Sequence, residues 1–527
     1  MLPFPRLLVS YRFRRLCLCL CLALVWVSPS ARADSWQTRK VLSPGTRWET
    51  PYYVQQSDQP GPTVVIVGGV HGDEPAGAEA ADQIRHWPIR CGTLAVLPRA
   101  NPPALAARTR TTPDVEPSLG NLNRNFPRAG QPGKARGEPA QAIWDWVESF
   151  KPDWLVDLHE GSGFRAAGSR SVGSSVIVSS SPEAEAAVPR ILDAVNASVS
   201  DERKRFVQLG PPVDGSLARG AAVHLGARAM ILETTSRDLV FTREADGASE
   251  VDKKKAPSSS PPSQPLSRRV RQHRLMVHAL LAQVGLLDQN LDVDRSIGRR
   301  AEPDKTWVAL YDAEGTAGAT GPAMERILTA AGMRMRRVGP AEVAAGALDD
   351  FDLVIFPGGS ASKEAAAIGE QGSRQVKAFV GGGGGYLGIC AGAYLCTSGF
   401  DWSLKIFDAR TISPKWQRGR GTVKIELTPQ GRKILGDRPG LLDVRYANGP
   451  IIGPAQLEAV PDYEVLAFFR SEVAEHGTPL GVMTNSPAVA IGRYGQGRVV
   501  FVSPHLEQTD GLEDLVRQAA RWAVEKN

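Results

Sequence analysis

The sequence contains little cysteine, and what it has does not form a pairing pattern. Six of its 527 residues are cysteines, and three of these lie within residues 17–21. The other three, Cys91, Cys390 and Cys396, are an odd number without regular spacing. This distribution excludes a disulfide framework, and with it the small secreted folds that depend on one.

Long apolar segments are also scarce. The run from Leu16 to Val27 is shorter than the roughly 20 residues that a membrane-spanning helix needs. Arginines precede this run, and Ala31-Arg32-Ala33 follows it with the small-x-small pattern of a signal-peptidase site. We therefore expect residues 1–33 to be a cleaved export signal, which makes the mature protein periplasmic or secreted, without a stable membrane span. An uncleaved N-terminal anchor is the alternative.

No large excess of one charge remains outside this segment. The formal charge is +6, and residues 1–33 contain five arginines and no acid, so the rest of the chain carries about 6 − 5 = +1. The composition therefore gives no reason to expect nucleic-acid binding. Hydrophobic residues make up 42% of the chain, which is enough for ordinary cores, and its length predicts two or three domains.

Strand-like and helix-like segments alternate through residues 34–290, which we interpret as the first domain. Apolar runs predict strands at 63–70, 93–97, 154–158, 175–179 and 229–232, and helices are expected at 76–87, 144–150 and 183–199. Pro189 is expected to kink the last of these helices or to mark its start. The alternation predicts an α/β sheet with helices on both faces.

A change of composition separates this region from a second α/β pattern. Residues 244–268, rich in lysine, serine and proline, predict a disordered insert, and residues 269–287 predict a closing helix. A polar linker is expected at 291–304 and a second domain at 305–527. There, strands are predicted at 308–311, 353–356, 385–389 and 498–502, and helices at 321–331 and 512–524.

Two histidines and a glutamate predict a metal site in the first domain. His71 and Glu74 directly follow the first strand, and His159 ends another strand of the same sheet. Zinc binds imidazole nitrogen and carboxylate oxygen, and open α/β sheets collect ligands at the carboxyl ends of their strands. The His-x-x-Glu pair alone is also compatible with ordinary solvated loop residues.

Two further features have the chemistry of an amide hydrolase. The arginine of Asn123-Arg124 can hold a carboxylate through two hydrogen bonds, although a loop salt bridge is the simpler interpretation. Glu233 ends a strand, where a carboxylate can take a proton from water and pass it to a leaving amine. The alternative for Glu233 is a surface acid without a role.

In order, Gly68-Gly-Val-His-Gly-Asp-Glu-Pro75, Asn123-Arg-Asn-Phe-Pro127, Asp157-Leu-His159 and Glu233 resemble the zinc carboxypeptidase superfamily. The first motif is most similar to its succinylglutamate desuccinylase/aspartoacylase branch, and the second to carboxypeptidases and murein-peptide amidases. The resemblance covers about residues 60–287.

The resemblance implies a zinc-dependent hydrolase of C–N amide bonds with a carboxypeptidase-like mixed sheet between helix layers. It implies His71, Glu74 and His159 as zinc ligands and Glu233 as general base and acid. It also implies that Arg110 polarises the scissile carbonyl and that Asn123 and Arg124 bind a substrate carboxylate.

The sequence departs from the family at two points. Gly120-Asn121 stands where an aspartate usually precedes Leu-Asn-Arg, and no small β-domain follows Glu233. We therefore expect a metallocarboxypeptidase acting on a peptide with a free carboxylate, for which exported cell-wall peptides are one source. The alternatives are an N-acyl-amino-acid deacylase and a zinc-containing binding protein without catalysis.

A second constellation lies in the second domain. Gly388-Ile-Cys390-Ala-Gly392 follows a strand, as in a nucleophile elbow, and Glu507 is placed to orient His505 toward the thiol. Gly358 and Gly359 are candidate oxyanion donors. Residues 305–527 resemble the flavodoxin-like fold of class I glutamine amidotransferases, and more closely the biotin-protein-ligase N-terminal-like domain. A fold retained without catalysis is equally expected.

Overall fold

The structure is a computed structural model that describes residues 35–165, 171–236, 264–298, 304–318, 320–412 and 417–525. The predicted export signal and residues 244–263 of the predicted insert lie outside these ranges. Within them, no helix combines the length and apolar character needed to cross a membrane.

The first sheet is mixed. Its strands are β1 (Ser35–Leu42), β2 (Thr50–Ser57), β3 (Thr63–Gly68), β4 (Thr93–Leu97), β5 (Trp154–Gly161), β6 (Ser175–Val178), β7 (Val207–Leu209) and β8 (Arg228–Thr235). Their order in space is β1-β2-β4-β3-β5-β8-β6-β7. Because β4, β3, β5 and β8 are parallel, the carboxyl ends of these strands meet at one edge of the sheet.

Helices cover both faces of this sheet. They are α1 (Pro75–Ile84), α2 (Pro102–Ala107), α3 (Glu138–Phe150), α4 (Pro182–Asn196), α5 (Leu217–His224) and α6 (Leu266–Gln283). Side chains alternate between the two faces of a strand, so Val64 and Ile66 of β3 join the core under α1, α4 and α6. Val65 and Val67 join the opposite core under α3 and α5.

Two predictions for this domain are wrong. Pro189 does not mark the start of a helix, because α4 begins at Pro182, where the side chain of Ser181 accepts a hydrogen bond from the N–H of Ala184. The predicted insert is too long at its end, since α6 begins at Leu266. Leu266 is buried in the core, and this burial favours helix over loop there.

The second domain has a larger mixed sheet. Its strands are β9 (Trp307–Tyr311), β10 (Arg334–Val338), β11 (Leu353–Phe356), β12 (Gly385–Ile389), β14 (Arg420–Leu427), β15 (Leu441–Ala447), β17 (Glu464–Phe469), β18 (Pro487–Tyr494) and β19 (Gly497–Val502), while β13 (Ala409–Thr411) and β16 (Ile452–Pro454) pair separately. The spatial order is β10-β9-β11-β12-β19-β18-β17-β14-β15.

The first five strands in that order are parallel, and their connections follow the order of a doubly wound sheet. The last four are antiparallel. The helices are α7 (Thr320–Ala330), α8 (Pro340–Ala344), α9 (Ala361–Gly381), α10 (Ala391–Cys396), α11 (Pro429–Leu435) and α12 (Glu513–Val524). Mixed α/β sheets with helices are thus confirmed, whereas the likeness to flavodoxin and amidotransferases stays a prediction.

Candidate functional site

The three predicted zinc ligands come together at the carboxyl edge of the first sheet. His71 and Glu74 lie in the turn between β3 and α1, and His159 lies near the end of β5. All three are buried, and one ligand atom of each lies within 4.8 Å of the others. Separate parts of the chain thus provide one compact set of nitrogen and oxygen donors.

Glycine shapes the turn that carries two of these ligands. Gly69 has a φ of +72°, a left-handed conformation that glycine adopts without steric cost. A Cβ on Gly72 would lie 1.8 Å from the carbonyl oxygen of Ala104 in α2. The turn therefore packs against α2 only with glycine here, and this packing fixes the direction of the ligands.

Hydrogen bonds determine which histidine nitrogen faces the centre of the site. Glu74 is the common neighbour, since its Oε1 lies 2.8 Å from Nδ1 of His71 and its Oε2 lies 2.7 Å from Nδ1 of His159. The Nε2 of His71 lies 3.0 Å from Oδ1 of Asn121, and that of His159 lies 2.9 Å from Oδ2 of Asp157. With Nε2–H donated outward, each Nδ1 keeps a lone pair for a metal ion.

Asn121 was noted in the sequence only as a departure from the family. In the structure it holds His71 in place, and its Oδ1 also accepts the N–H of Asn123, at 3.1 Å. The amide oxygen of Asn121 can accept a hydrogen bond from the imidazole N–H as the carboxylate oxygen of an aspartate would. This departure from the family therefore preserves the orientation of His71.

Glu233 faces the same site from β8, where the strand register pairs it with His159. Its Oε2 is buried and has no hydrogen-bond partner among the described residues. Burial raises the pKa of Glu233 to about 8; the charge of His159 opposes this shift and those of Glu74 and Asp157 add to it. A carboxyl with a pKa near neutrality can both accept and donate a proton.

The predicted arginines lie around this centre. Arg110 donates to Oε1 of Glu74, so its guanidinium is next to the ligand set. The Nη1 of Arg124 donates to the carbonyl oxygen of Asn123, at 2.7 Å. The Oδ1 of Asn123 accepts the N–H of Leu217, at 3.0 Å, which anchors α5, and its Nδ2 lies 3.1 Å from Nε2 of His159.

A cavity of about 410 Å³ opens onto these residues. Polar groups line one part and aliphatic side chains the other; the lining residues are His71, Arg110, Asn123, Arg124, His159, Arg165, Val172, Ile177, Leu209, Gly210, Pro211, Val213, Ile231 and Glu233. Arg165 was not predicted, although an arginine shortly after a ligand strand could have suggested it. Its Nη1 donates to the carbonyl oxygen of Ser171, at 2.9 Å.

The second candidate site is centred on Cys390, between β12 and α10. Cys390 has φ +51° and ψ −94°, a strained conformation for a residue with a side chain. Its Sγ lies 3.4 Å from the carbonyl oxygen of Ala447. Such strain is typical of an elbow that presents a nucleophile at a sheet edge.

His505 and Glu507 lie on the side of this thiol, after β19. The Nδ1 of His505 lies 2.8 Å from Oε1 of Glu507. Burial lowers the pKa of His505, but hydrogen bonds with Cys390 and Glu507 outweigh it and raise the pKa to about 10. A Cβ on Gly358 would lie 2.6 Å from Cε1 of His505, so glycine is required at this contact.

Glu364, which the sequence reasoning missed, is a buried acid in α9. Neither of its carboxyl oxygens has a hydrogen-bond partner among the described residues. Burial raises the pKa of Glu364 well above its usual value, and the nearby charge of Cys390 adds to the shift. Burial therefore favours the protonated form of this acid, and only its burial, which the sequence does not reveal, identifies it.

Comparisons with known proteins identify relatives for parts of both domains. A curated relative, an N-alpha-acetyl-L-2,4-diaminobutyric acid deacetylase of Halomonas elongata, is 35% identical over 105 residues, or 19% of this chain and 29% of that protein. The matched part thus spans less than a third of the relative's length.

Solved structures with similarity to the chain include the apo cell shape determinant protein Csd4 of Helicobacter pylori. That match has 17% identity and a TM-score of 0.32, and covers 48% of this chain and 55% of the other. A succinylglutamate desuccinylase/aspartoacylase of Rhodobacter sphaeroides matches with 20% identity and a TM-score of 0.31, covering 49% and 68%.

Two family models match separate segments. Residues 349–411, which include Cys390, match the biotin-protein ligase N-terminal family. Residues 60–235, which include all three candidate ligands and Glu233, match the succinylglutamate desuccinylase/aspartoacylase catalytic domain.

Proposed function

We propose that the protein is a zinc-dependent hydrolase that cleaves an amide bond next to a free carboxylate. One observation carries this proposal: Glu233 has a buried oxygen without a partner among the described residues, in the wall of the cavity that His71, Glu74 and His159 also line or border. A site that only stored metal would not need this additional acid.

The donor set fits zinc. Two imidazole nitrogens and one carboxylate are a common protein ligand set for catalytic zinc, with a further position left open. The Nε2 partners of His71 and His159 leave Nδ1 of each ring directed at Glu74, which is the arrangement a shared ion requires. When bound there, zinc would act as a Lewis acid on the substrate carbonyl and make water more acidic.

Three residues of the chain carry out the other parts of the reaction. Glu233 takes a proton from the attacking water while a C–O bond forms at the amide carbon. The guanidinium of Arg110 donates hydrogen bonds to the oxygen that becomes negative. The C–N bond then breaks, and Glu233 returns the proton to the leaving amine. Arg124 holds the substrate carboxylate and so fixes which bond reaches Glu233.

A carboxypeptidase and an N-acyl-amino-acid deacylase both fit this arrangement, because both substrates place a carboxylate beside the scissile amide. The test is a panel of peptides and acyl amino acids, each with a free and an amidated carboxylate. We expect cleavage of free acids only. Hydrolysis of peptides would identify a carboxypeptidase, and hydrolysis of acyl amino acids alone a deacylase. Zinc binding without any hydrolysis would identify a binding protein.

A second candidate activity lies at Cys390, and the strained backbone there, together with the His505–Glu507 hydrogen bond, favours it. We infer that the thiol of Cys390 gives its proton to His505 and forms a C–S bond with an amide carbon. The C–N bond of the amide then breaks as His505 passes the proton to the leaving nitrogen. Hydrolysis of glutamine that disappears in Cys390→Ser would support an amidotransferase-type activity. Equal alkylation rates of Cys390 in the native protein and in His505→Gln would exclude an activated thiol.

Export of the mature protein belongs to this proposal as well. Peptides of the cell wall would then be available as substrates in the periplasm or outside the cell. N-terminal sequencing of the protein recovered from the periplasm should begin at Asp34; a chain that begins at Met1 in the cytoplasm would contradict export.

A further inference from the structure

Helix α6 contacts the metal site through a chain of hydrogen bonds. Arg269, near its start, pairs with Oε1 of Glu160, the neighbour of His159 in β5. The N–H of Glu160 donates to Oε2 of the ligand Glu74, at 3.1 Å, and its Oε2 accepts the N–H of Ala76, at 2.9 Å. Glu160 thus fastens the turn that carries Glu74, and Arg269 fastens Glu160.

Burial makes this pair sensitive to the loss of either partner. The side chain of Arg269 is 9% exposed and that of Glu160 is 1% exposed. Removal of one partner of a buried ion pair leaves an uncompensated charge, which is strongly destabilising. Arg269 therefore restricts where Glu160 and the Glu74 turn can lie.

A second residue of the same helix reaches the strand that carries the candidate base. The Nε2 of His273 lies 3.1 Å from Oγ1 of Thr234, which directly follows Glu233 in β8. His273 is fully buried. One face of α6 is therefore bonded to β5 and β8, two of the three strands that supply the site.

Further hydrogen bonds of α6 lead to the second domain. The Oγ of Ser267 donates to the carbonyl oxygen of Asp312, and the N–H of Leu266 donates to its Oδ2, at 3.2 Å. Arg274 pairs with Glu342, with 1% and 4% of their side chains exposed. The other oxygen of Glu342 accepts the N–H of Gly339, at 3.0 Å, at the start of α8.

We propose that the second domain holds the metal site in place through α6, with Arg269 as the positioning residue for Glu74 and the Arg274–Glu342 pair as the anchor of the helix. The proposal rests on the metal centre of the proposed function. It also gives the second domain a role that does not depend on catalysis at Cys390.

This role lies outside the part of the chain matched by the catalytic-domain family. That match ends at residue 235, and α6 begins at Leu266, beyond the intervening insert. Groups that orient metal ligands typically affect metal affinity by about 10-fold to 100-fold. We expect an effect of that size from Arg269 and a smaller one from Glu342, which acts at one further step.

The experiment measures the zinc affinity of the full chain by competition with a chromophoric chelator. The variants are Arg269→Lys, the charge-balanced double variant Arg269→Ala with Glu160→Gln, and Glu342→Gln. Arg271→Ala is the matched control, because Arg271 lies on the same helix but pairs with Asp294, through two contacts of 2.7 Å. Melting temperatures of the metal-free variants are recorded in parallel.

We expect the double variant to bind zinc at least about 10-fold more weakly, Arg269→Lys to recover part of the loss, and Glu342→Gln to weaken binding about 3-fold. Arg271→Ala should bind zinc as the native chain does. If the native chain binds zinc and the variants match it, or lose affinity only as far as Arg271→Ala does, the inference is overturned while the proposed function stands. If the native chain binds no zinc, both are overturned.

Discussion

The two candidate sites are built in different ways. The metal site collects side chains from β3, β5 and β8 around a cavity, and hydrogen bonds from Asn121 and Asp157 fix its histidines. The thiol site stores strain in the backbone of a single residue, Cys390, whose side chain is almost buried. Long-range contacts therefore determine the first site, while local backbone geometry dominates the second.

This difference has a consequence for how each site fails. A change at a distance, such as in α6, can displace a ligand of the metal site, because its parts are far apart in the chain. The elbow at Cys390 is held by Gly392, where a Cβ would lie 2.0 Å from the carbonyl oxygen of Phe356.

The largest effect is expected from His159→Ala. It removes one of three ligands, and with it the neighbour of both Glu74 and Asp157. We expect zinc content to fall from about one ion per chain to nearly none, and amide hydrolysis to fall to background. Metal analysis of the purified protein measures this. An unchanged zinc content would mean that the ligand set is wrong. As a control, alkylation of Cys390 in this variant should stay as fast as in the native protein.

Glu233→Gln should abolish most activity and leave the metal in place. Loss of a general acid and base reduces rates by about 10²-fold to 10⁴-fold. Zinc content and hydrolysis are measured on the same sample, with Glu183→Gln, an exposed acid in α4, as the control. A rate within a factor of about two of the native one would exclude Glu233 as the base.

Arg124→Ala should act on binding more than on chemistry. The loss of a charge-assisted hydrogen bond is expected to raise KM for substrates with a free carboxylate by about 10-fold to 100-fold. Arg124→Lys should recover little, because an ammonium lacks the planar fork. Steady-state kinetics decide the point. An equal effect on amidated substrates would show that Arg124 does not bind the carboxylate.

The smallest effect is expected from Glu364→Gln, and it depends on pH. The pKa of Glu364 is raised in the folded protein, so its stability contribution is complete below the unfolded value, about 4.5, and is lost as pH rises. The variant should therefore melt a few degrees higher than the native chain at pH 8, and equally at pH 4. Calorimetry at both values measures this. A lower melting temperature at pH 8 would mean that the carboxylate is charged and partnered.

The sequence predicted most of the parallel strands, such as β3, β11 and β12, because they are apolar runs buried on both faces. It missed the parallel strand β10, in which three of five residues are arginines. It missed the antiparallel strands β14 and β15, whose buried and exposed residues alternate. It also missed β1 and β2, at the edge of the first sheet. Such strands acquire their form from a neighbour rather than from their own composition.

The sequence could predict those residues of the candidate site that belong to a motif. His71, Glu74, His159 and Glu233 lie together as their order in the chain suggested. Glu364 has no motif, Arg165 is suggested only by its position after a ligand strand, and the role proposed for Arg269 depends on its contact with Glu160, 109 residues away in the chain. Only the folded structure brings such pairs together, so sequence patterns cannot identify them.

The most direct test of the central claim is the hydrolysis rate of the substrate panel before chelation, after chelation, and after zinc is restored. The proposed function predicts that cleavage of a free-acid substrate disappears with the metal and returns with it in the native chain, but stays absent in zinc-loaded Glu233→Gln. Cleavage that survives chelation, or that Glu233→Gln retains in full, would contradict the account.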